Sequence, residues 1–216
     1  MAELLKDTNR PGVYIERIAE GAALLKGFAA VEAAALIAAL DPIIAAAPFR
    51  HMLTPGGRRM SVAMTNCGGN GWITDRSGYR YTPFDPITQC PWPRMPAAVV
   101  NLAARAARAG GFPGFTPDAC LINRYRPGAQ LTLHQDKDER DFSAPIVSVS
   151  LGLSAVFLFG GLRRRDRPRR IHMDNGDVAV WGGTARLAYH GIAPLADGEH
   201  ALTGHCRINL TLRKAS

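Results

Sequence analysis

The chain has 216 residues, 47% hydrophobic and 20% charged, which is the composition of an ordinary soluble globular protein with room for a substantial core. Its net charge of +8, with 22 arginines against four lysines, points either to an acidic partner or to an arginine-rich composition. The four cysteines, Cys67, Cys90, Cys120 and Cys206, are far apart with no CxxC, which argues against a disulfide framework or a zinc ribbon and fits a reducing cytoplasm.

Met1 to Arg10 contains Glu3, Lys6, Asp7 and Arg10 and lacks the apolar run of a signal peptide. The Ala-rich stretch from Gly21 to Phe49 is interrupted by Lys26, Glu32, Asp41 and Pro42, which argues against a membrane span. Within it, Ala23 to Phe28 reads as a short strand and Ala30 to Leu40 as a helix ending near Asp41-Pro42. Residues 49–93 are rich in Gly and Pro, with Arg58, Arg59, Trp72, Tyr79, Arg80, Tyr81 and Trp92 between them. This is hairpin-and-loop material, either an insertion packed down on the core or a cover whose rings stack on a ligand. Pro96 to Ala109 forms a second helix, with Met95, Val99, Leu102 and Ala106 on its period and Gly110-Gly111 as its stop. From Asp118 the expected strands are Ala119–Tyr125, Gln130–His134, Ile146–Leu153, Val156–Phe159, Arg170–Met173, Asp177–Trp181, Leu187–Ile192 and Cys206–Leu212. Short strands at this spacing suggest a β-sandwich or jelly roll, and no linker or repeat divides the chain.

His134 and Asp136 stand two apart, and His190 lies far downstream, closing the run Leu187-Ala188-Tyr189-His190. Residues two apart on a strand share a face, and a turn through Lys137-Asp138-Glu139-Arg140 could equally bring them together. Two imidazoles and a carboxylate on one side of a metal leave the other side open, as non-haem Fe(II) oxygenases require. The same spacing also suits a surface His–Asp hydrogen bond. The C-terminal run Arg207-Ile-Asn209-Leu-Thr211-Leu-Arg213 alternates strictly, so Arg207, Asn209, Thr211 and Arg213 share one strand face. That face meets solvent in an ordinary edge strand. With two arginines and an asparagine it is also a receptor for a dicarboxylate. Asn123 and Tyr125 offer donors from another strand. A facial triad beside a carboxylate-binding strand is what a 2-oxoglutarate oxygenase needs.

These motifs, read in order, resemble the AlkB family of alkylation-repair dioxygenases. The resemblance is carried by Asn123-Arg-Tyr125-Arg-Pro-Gly128, Leu133-His134-Gln-Asp136-Lys-Asp138-Glu139, Pro145-Ile-Val-Ser-Val-Ser-Leu-Gly152 and Phe159-Gly-Gly161. It continues through Gly176-Asp177-Val178, Trp181-Gly-Gly183, Tyr189-His190-Gly191 and Arg207-Ile-Asn209-Leu-Thr-Leu-Arg213. Upstream, Thr54-Pro-Gly-Gly57, Met60-Ser-Val-Ala-Met-Thr-Asn-Cys67 and Gly71-Trp72 resemble the family's nucleotide-recognition lid.

The resemblance implies a mainly β protein with flanking helices (α+β): one domain over 1–216, a double-stranded β-helix (jelly-roll) core near 118–213, and a lid near 49–93. It implies Fe(II) held by His134, Asp136 and His190, and 2-oxoglutarate held by Asn123, Tyr125, Arg207, Asn209 and Arg213. Arg207 would take the distal carboxylate and Arg213 the metal-chelating end. The implied reaction is oxidative N-demethylation of bases such as 1-methyladenine and 3-methylcytosine, with release of formaldehyde, succinate and CO₂. The implied partner is alkylated DNA, single-stranded by preference, with RNA as an alternative, and the protein is expected to act as a cytoplasmic monomer. Rivals are an oxygenase of RNA, protein or a small molecule, and an inactive nucleic-acid-binding β-fold. Blocked Watson–Crick edges make flipping cheaper, because pairing is already lost.

By the same resemblance Trp72 stacks on the flipped base with His134 on its other face, and Asp138, Tyr79, Tyr81 and Arg164 contact substrate. Asp138 can equally be a solvated acidic turn with Glu139. Arg58 stands where the family pattern has a tyrosine, which leaves the lid contacts open. Arg163 to Arg170 holds six arginines in eight residues, either a solvated hairpin tip or a phosphate contact. His51, His172, His200 and His205 are not expected to be ligands, although His205 could share the polar face of the last strand.

Overall fold

The aliphatic and β-branched runs of the second half become strands because they can be buried on two sides at once. The computed structural model of the protein describes residues 4–6 and 13–216; most of Met1–Arg10 lies outside them. The strands are β1 Leu4–Lys6, β2 Tyr14–Ala19, β3 Ala22–Lys26, β4 Ala63–Gly68, β5 Gly71–Asp75, β6 Gly78–Thr82, β7 Ala119–Tyr125 and β8 Leu131–His134. They continue with β9 Ile146–Gly152, β10 Ala155–Phe159, β11 Arg169–Met173, β12 Val178–Trp181, β13 His190–Ile192 and β14 Arg207–Arg213. Two helices, α1 Ala33–Ala46 and α2 Ala97–Ala109, precede the strand-rich half. None of the described helices is long and apolar enough to cross a membrane.

Eight strands form a sheet in the order β1-β2-β3-β12-β9-β14-β7-β4, and four form a second sheet in the order β11-β10-β13-β8. Hairpin β5–β6 stands apart from both. This is a jelly-roll core with helices on one side, as the strand spacing and the resemblance predict. The alternation of β14 explains the layering. Ile208, Leu210 and Leu212 join a core with Leu36, Leu40, Val99 and Leu102 of the helices. A second core of Leu121, Ile146, Phe157, Phe159, Trp181 and Ile192 fills the space between the sheets. The polar face of β14 therefore looks into the protein, and Arg207, Asn209, Thr211 and Arg213 are all buried.

Three expectations are corrected. First, α1 does not stop at Asp41-Pro42 but runs through Pro42 to Ala46. Proline forfeits an intrahelical bond at a cost of about 3 kcal/mol, yet Leu36, Leu40 and Ile43 are buried on one stripe that only a continuous helix can present. Second, His190 opens a strand rather than closing one. Residues 183–185 form a 3-10 turn and Ala188 N–H bonds Ala185 O at 2.8 Å, so the chain reaches β13 from a turn. Third, the 49–93 segment is not all lid. Its β4 is the edge of the eight-stranded sheet, paired along β7 from Ala63↔Arg124 to Gly68↔Ala119. What is left of the expected cover is the loop near Thr54–Met60 together with hairpin β5–β6.

Candidate active site

The smaller sheet brings the two histidines together. β13 pairs antiparallel with β8 so that His190 lies directly opposite His134, on adjacent strands of one sheet rather than on two facing ones. Gly191 permits the close pairing, since a Cβ there would sit 2.5 Å from the Leu131 carbonyl. β8 ends at His134, and Asp136 enters from the following loop, so the turn rather than a continuous strand supplies the carboxylate. His134 Nε2 lies 3.8 Å from Asp136 Oδ1, and His190 Nε2 lies 3.6 Å from Asp136 Oδ2. One donor atom from each of the three residues falls within 4.8 Å of the others, a group that could hold a metal ion.

The backbone sets the tautomers. His134 Nδ1 faces Thr132 O at 2.8 Å and His190 Nδ1 faces Ala188 O at 3.0 Å. A carbonyl can only accept, so each Nδ1 carries a proton and each Nε2 is the atom turned toward the common centre. Enclosure in the pocket, helped by neighbouring His190, pushes His134 down to about 4, although a third of its side chain remains open. Burial alone would raise the Asp136 carboxyl, but Arg213 and then His190 outweigh it and hold the group well below the usual carboxylate range. Two imidazoles and one carboxylate, with an open side, make the donor set that suits Fe(II).

The larger sheet supplies the opposite wall. Asn123 and Asn209 are cross-strand partners on β7 and β14, and Arg207 pairs with Tyr125 in the same ladder. Arg207 is fully buried, with its Nε donating to Ser150 Oγ at 2.9 Å and its guanidinium 5.1 Å from the Tyr125 ring centroid. Its Nη1 and Nη2 have no hydrogen-bond partner, and neither has the buried Asn123 Oδ1. A buried, forked cation with two unpartnered nitrogens calls for a carboxylate, which it can grip through parallel bonds. Burial pushes the Tyr125 phenol up to about 12, so it stays a hydroxyl donor. Arg213 donates from Nε and Nη2 to Asp136 Oδ2, at 3.0 and 2.6 Å.

A cavity of about 370 Å³ lies between the sheets and under the cover. Its walls include the triad, Asn123, Tyr125, Asn209 and Arg213, and at the mouth Trp72, Tyr79, Asp138 and Arg164. Trp72 and Tyr79 stack with centroids 5.7 Å apart and planes 19° apart, and Trp72 Nε1 donates to Asp138 Oδ2 at 2.8 Å. Tyr81 and Arg207 are not wall residues. Tyr81 turns inward to Glu139, and Arg207 sits behind Tyr125. His205 is exposed and bonds Gly198 O, apart from the polar face of β14, and His172 pairs with Asp174 at the surface.

Several residues at the site were given no role from the sequence. Ser148 and Ser150 hold Asn209 and Arg207. Their signal was present, since two serines alternate within an otherwise apolar strand. Arg186 reaches Asp136 O, Ala144 O and Glu139 from a loop, and a lone loop arginine gives no warning of that.

Comparison with known proteins decides the family. The profile of the 2OG-Fe(II) oxygenase superfamily matches residues 21–213, which contain the whole constellation. The alpha-ketoglutarate-dependent dioxygenase AlkB of Escherichia coli (strain K12) is 59% identical over 200 residues, 93% of each chain. The chain belongs to the AlkB family of 2OG-Fe(II) oxygenases. Within that family, the DNA N(6)-methyladenine demethylase ALKBH1C of Arabidopsis thaliana is 34% identical over 175 residues, covering 68% of this chain and 38% of that one. The solved structure of OsALKBH1 superposes with a TM-score of 0.82 at 26% identity, over 93% of this chain and 99% of that one. The protein is thus a 2-oxoglutarate/Fe(II)-dependent dioxygenase, with Fe(II) as its metal and 2-oxoglutarate as its co-substrate. The triad of two imidazoles and one carboxylate and the unpartnered Arg207 fork fit both groups.

Proposed function

We propose that this dioxygenase demethylates N-alkylated nucleobases of the 1-methyladenine and 3-methylcytosine type in DNA, preferentially single-stranded. The observation that carries this reading is the stacked Trp72–Tyr79 pair at the mouth of a cavity whose floor is the triad. A planar cationic base gains stacking and a cation–π term of about 0.5–2 kcal/mol from such a platform. The Arabidopsis relative is a DNA N(6)-methyladenine demethylase, which supports a nucleic-acid substrate.

In this reading His134, Asp136 and His190 hold Fe(II), and Arg207, with Tyr125 and Asn123, receives the distal carboxylate of 2-oxoglutarate. Arg213 and Asn209 face its chelating end. Iron and co-substrate together supply a two-electron oxidation, in which 2-oxoglutarate becomes succinate and CO₂ and one atom of O₂ enters an N-methyl C–H bond. The hydroxymethyl product breaks its N–C bond, and formaldehyde leaves the restored base. The residues contribute position and exclusion of water. Asp138 fixes the indole plane of Trp72 and leaves a carboxylate beside the positive base, and Arg164 lines the same cavity.

The test is formaldehyde release from methylated DNA oligonucleotides, methylated RNA and a panel of small molecules. DNA turnover supports the proposal, while turnover of RNA or a small molecule alone replaces it. Trp72→Ala is expected to lower kcat/KM for methylated oligonucleotide by 10-fold or more, on the order of the 1–3 kcal/mol of one stacked base. Uncoupled 2-oxoglutarate oxidation should change far less, and equal losses in both would remove the stacking role.

A further inference from the structure

The resemblance places Tyr81 among the substrate contacts, but its surroundings assign it elsewhere. Tyr81 lies directly opposite Trp72 on hairpin β5–β6, so the two side chains share a face. Each bonds one of two successive residues of the loop that carries Asp136. Trp72 takes exposed Asp138, and Tyr81 Oη donates to buried Glu139 Oε1 at 2.6 Å.

Glu139 is the centre of a buried charge network. Its Oε2 accepts from Arg186 Nη2 at 3.1 Å, with the two side chains 1% and 3% exposed. Arg186 also donates to the carbonyls of Asp136 and Ala144, at 2.8 and 3.0 Å, and so fixes both ends of the loop. Arg213 approaches Glu139 Oε1 at 3.4 Å through Nε and donates from Nη1 to Tyr81 Oη at 3.3 Å. The Tyr81 hydroxyl thus accepts from the arginine at the chelating end of the co-substrate site and donates to the residue that anchors the metal loop. A hydroxyl whose proton is given to Glu139 and whose oxygen already accepts from Arg213 has no hydrogen to offer a base.

We propose that Tyr81 is a positioning residue for Arg213, and that the Tyr81–Glu139 bond couples the lid to the 2-oxoglutarate site. A lid held down by a bound strand keeps Tyr81 on Arg213, which presets the guanidinium for a carboxylate. By reciprocity, 2-oxoglutarate that engages Arg213 favours the docked lid and tightens nucleic-acid binding by the same factor. The positioning half needs only the co-substrate of the family, whereas the coupling half rests on the nucleic-acid reading above.

The test is an anaerobic titration of the Fe(II)-loaded protein with 2-oxoglutarate, followed by visible absorption, with and without an unmethylated single-stranded oligonucleotide. Without oligonucleotide, Tyr81→Phe is expected to weaken 2-oxoglutarate about tenfold, the scale of one hydrogen bond to a charged group. In turnover the loss should appear in KM for 2-oxoglutarate more than in kcat. Oligonucleotide should tighten 2-oxoglutarate in the native protein and leave Tyr81→Phe unmoved. Glu139→Gln keeps an acceptor for Tyr81 but sets an amide N–H against Arg186, and should lose the same coupling. If that variant fails to fold, Tyr81→Phe decides alone. Native 2-oxoglutarate affinity in Tyr81→Phe, with weakened oligonucleotide binding instead, overturns the positioning role and makes Tyr81 a substrate contact. Equal tightening by oligonucleotide in both proteins overturns the coupling. If no oligonucleotide binds at all, the nucleic-acid reading and the coupling fall together, and the first titration still judges the positioning role.

Discussion

Asp136 and Arg207 are both buried and both belong to the proposed site, yet removing them should affect stability in opposite directions. Asp136 is the main partner of Arg213, and a buried guanidinium that loses its partner typically costs 3–5 kcal/mol. Glu139, 3.4 Å from the same Nε, offsets part of that loss. Asp136→Ala is therefore expected to lower stability by about 2–3 kcal/mol in denaturant melts as well as abolishing iron-dependent succinate formation. A fully active variant would remove Asp136 from the metal site. Arg207 is the reverse case, since its two terminal nitrogens lack protein partners and, in the proposed reading, its charge is held in the interior for 2-oxoglutarate. Burial accordingly lowers its pKa, with Tyr125 opposing. Arg207→Met should raise the stability of the protein without 2-oxoglutarate by about 1–2 kcal/mol, because an apolar side chain replaces an unpaired buried cation. Calorimetric binding of 2-oxoglutarate should fall at least 100-fold, as expected for loss of a bidentate charged pair worth roughly 3 kcal/mol. A destabilised variant that still binds 2-oxoglutarate would show that Arg207 only packs.

At the scale of elements, β14 was legible and its orientation was not. Strict alternation from Arg207 to Arg213 announces a strand with one polar face, but period alone cannot say whether that face meets water or a ligand. The choice came from Asn123 and Tyr125, which showed a second strand with matching donors. The metal loop was half legible. His134 and Asp136 are adjacent in sequence, whereas the Arg186 that clamps their loop lies 50 residues past Asp136 and carries no periodic signal. The boundary of α1 was misjudged for a different reason. Proline is a local signal, and the buried stripe that overrides it extends to Ile43, one residue beyond the break. The override has a measurable cost. Pro42→Ala should restore one backbone bond and raise stability by about 1–3 kcal/mol in urea, with kcat unchanged because α1 packs on the sheet face away from the cavity. A destabilised Pro42→Ala protein would mean that the ring itself fills a needed space.

The +8 net charge becomes informative once it is located. Many arginines are neutralised locally, as in Arg50–Asp85, Arg80–Asp75, Arg105–Glu32 and Arg169–Glu16, while Arg207 and Arg213 are committed to the site. Among the described residues Arg164, Arg165, Arg167 and Arg170, on or beside the β10–β11 turn, form no ion pair, and neither do Arg58, Arg59 and Arg76 of the cover. Arg164 of the first group lines the cavity, and so does Thr54, which the second group follows in the chain at Arg58 and Arg59. In the proposed reading a strand whose base enters the cavity runs close to them, and its phosphates meet cations that form no ion pair within the protein. Each single-strand phosphate contact contributes about 0.7 to the slope of log K against log salt. Replacing Arg165, Arg167 and Arg170 together with glutamine should therefore lower the slope for an unmethylated oligonucleotide by about 2, measured by fluorescence anisotropy. The exposed positions should leave the melting temperature nearly unchanged, and turnover of a methylated nucleoside, which has no phosphate, should not fall. An unchanged slope would make the arginine run a solvated hairpin tip, and a parallel loss on the nucleoside would place it inside the catalytic machinery instead of along the path of the strand.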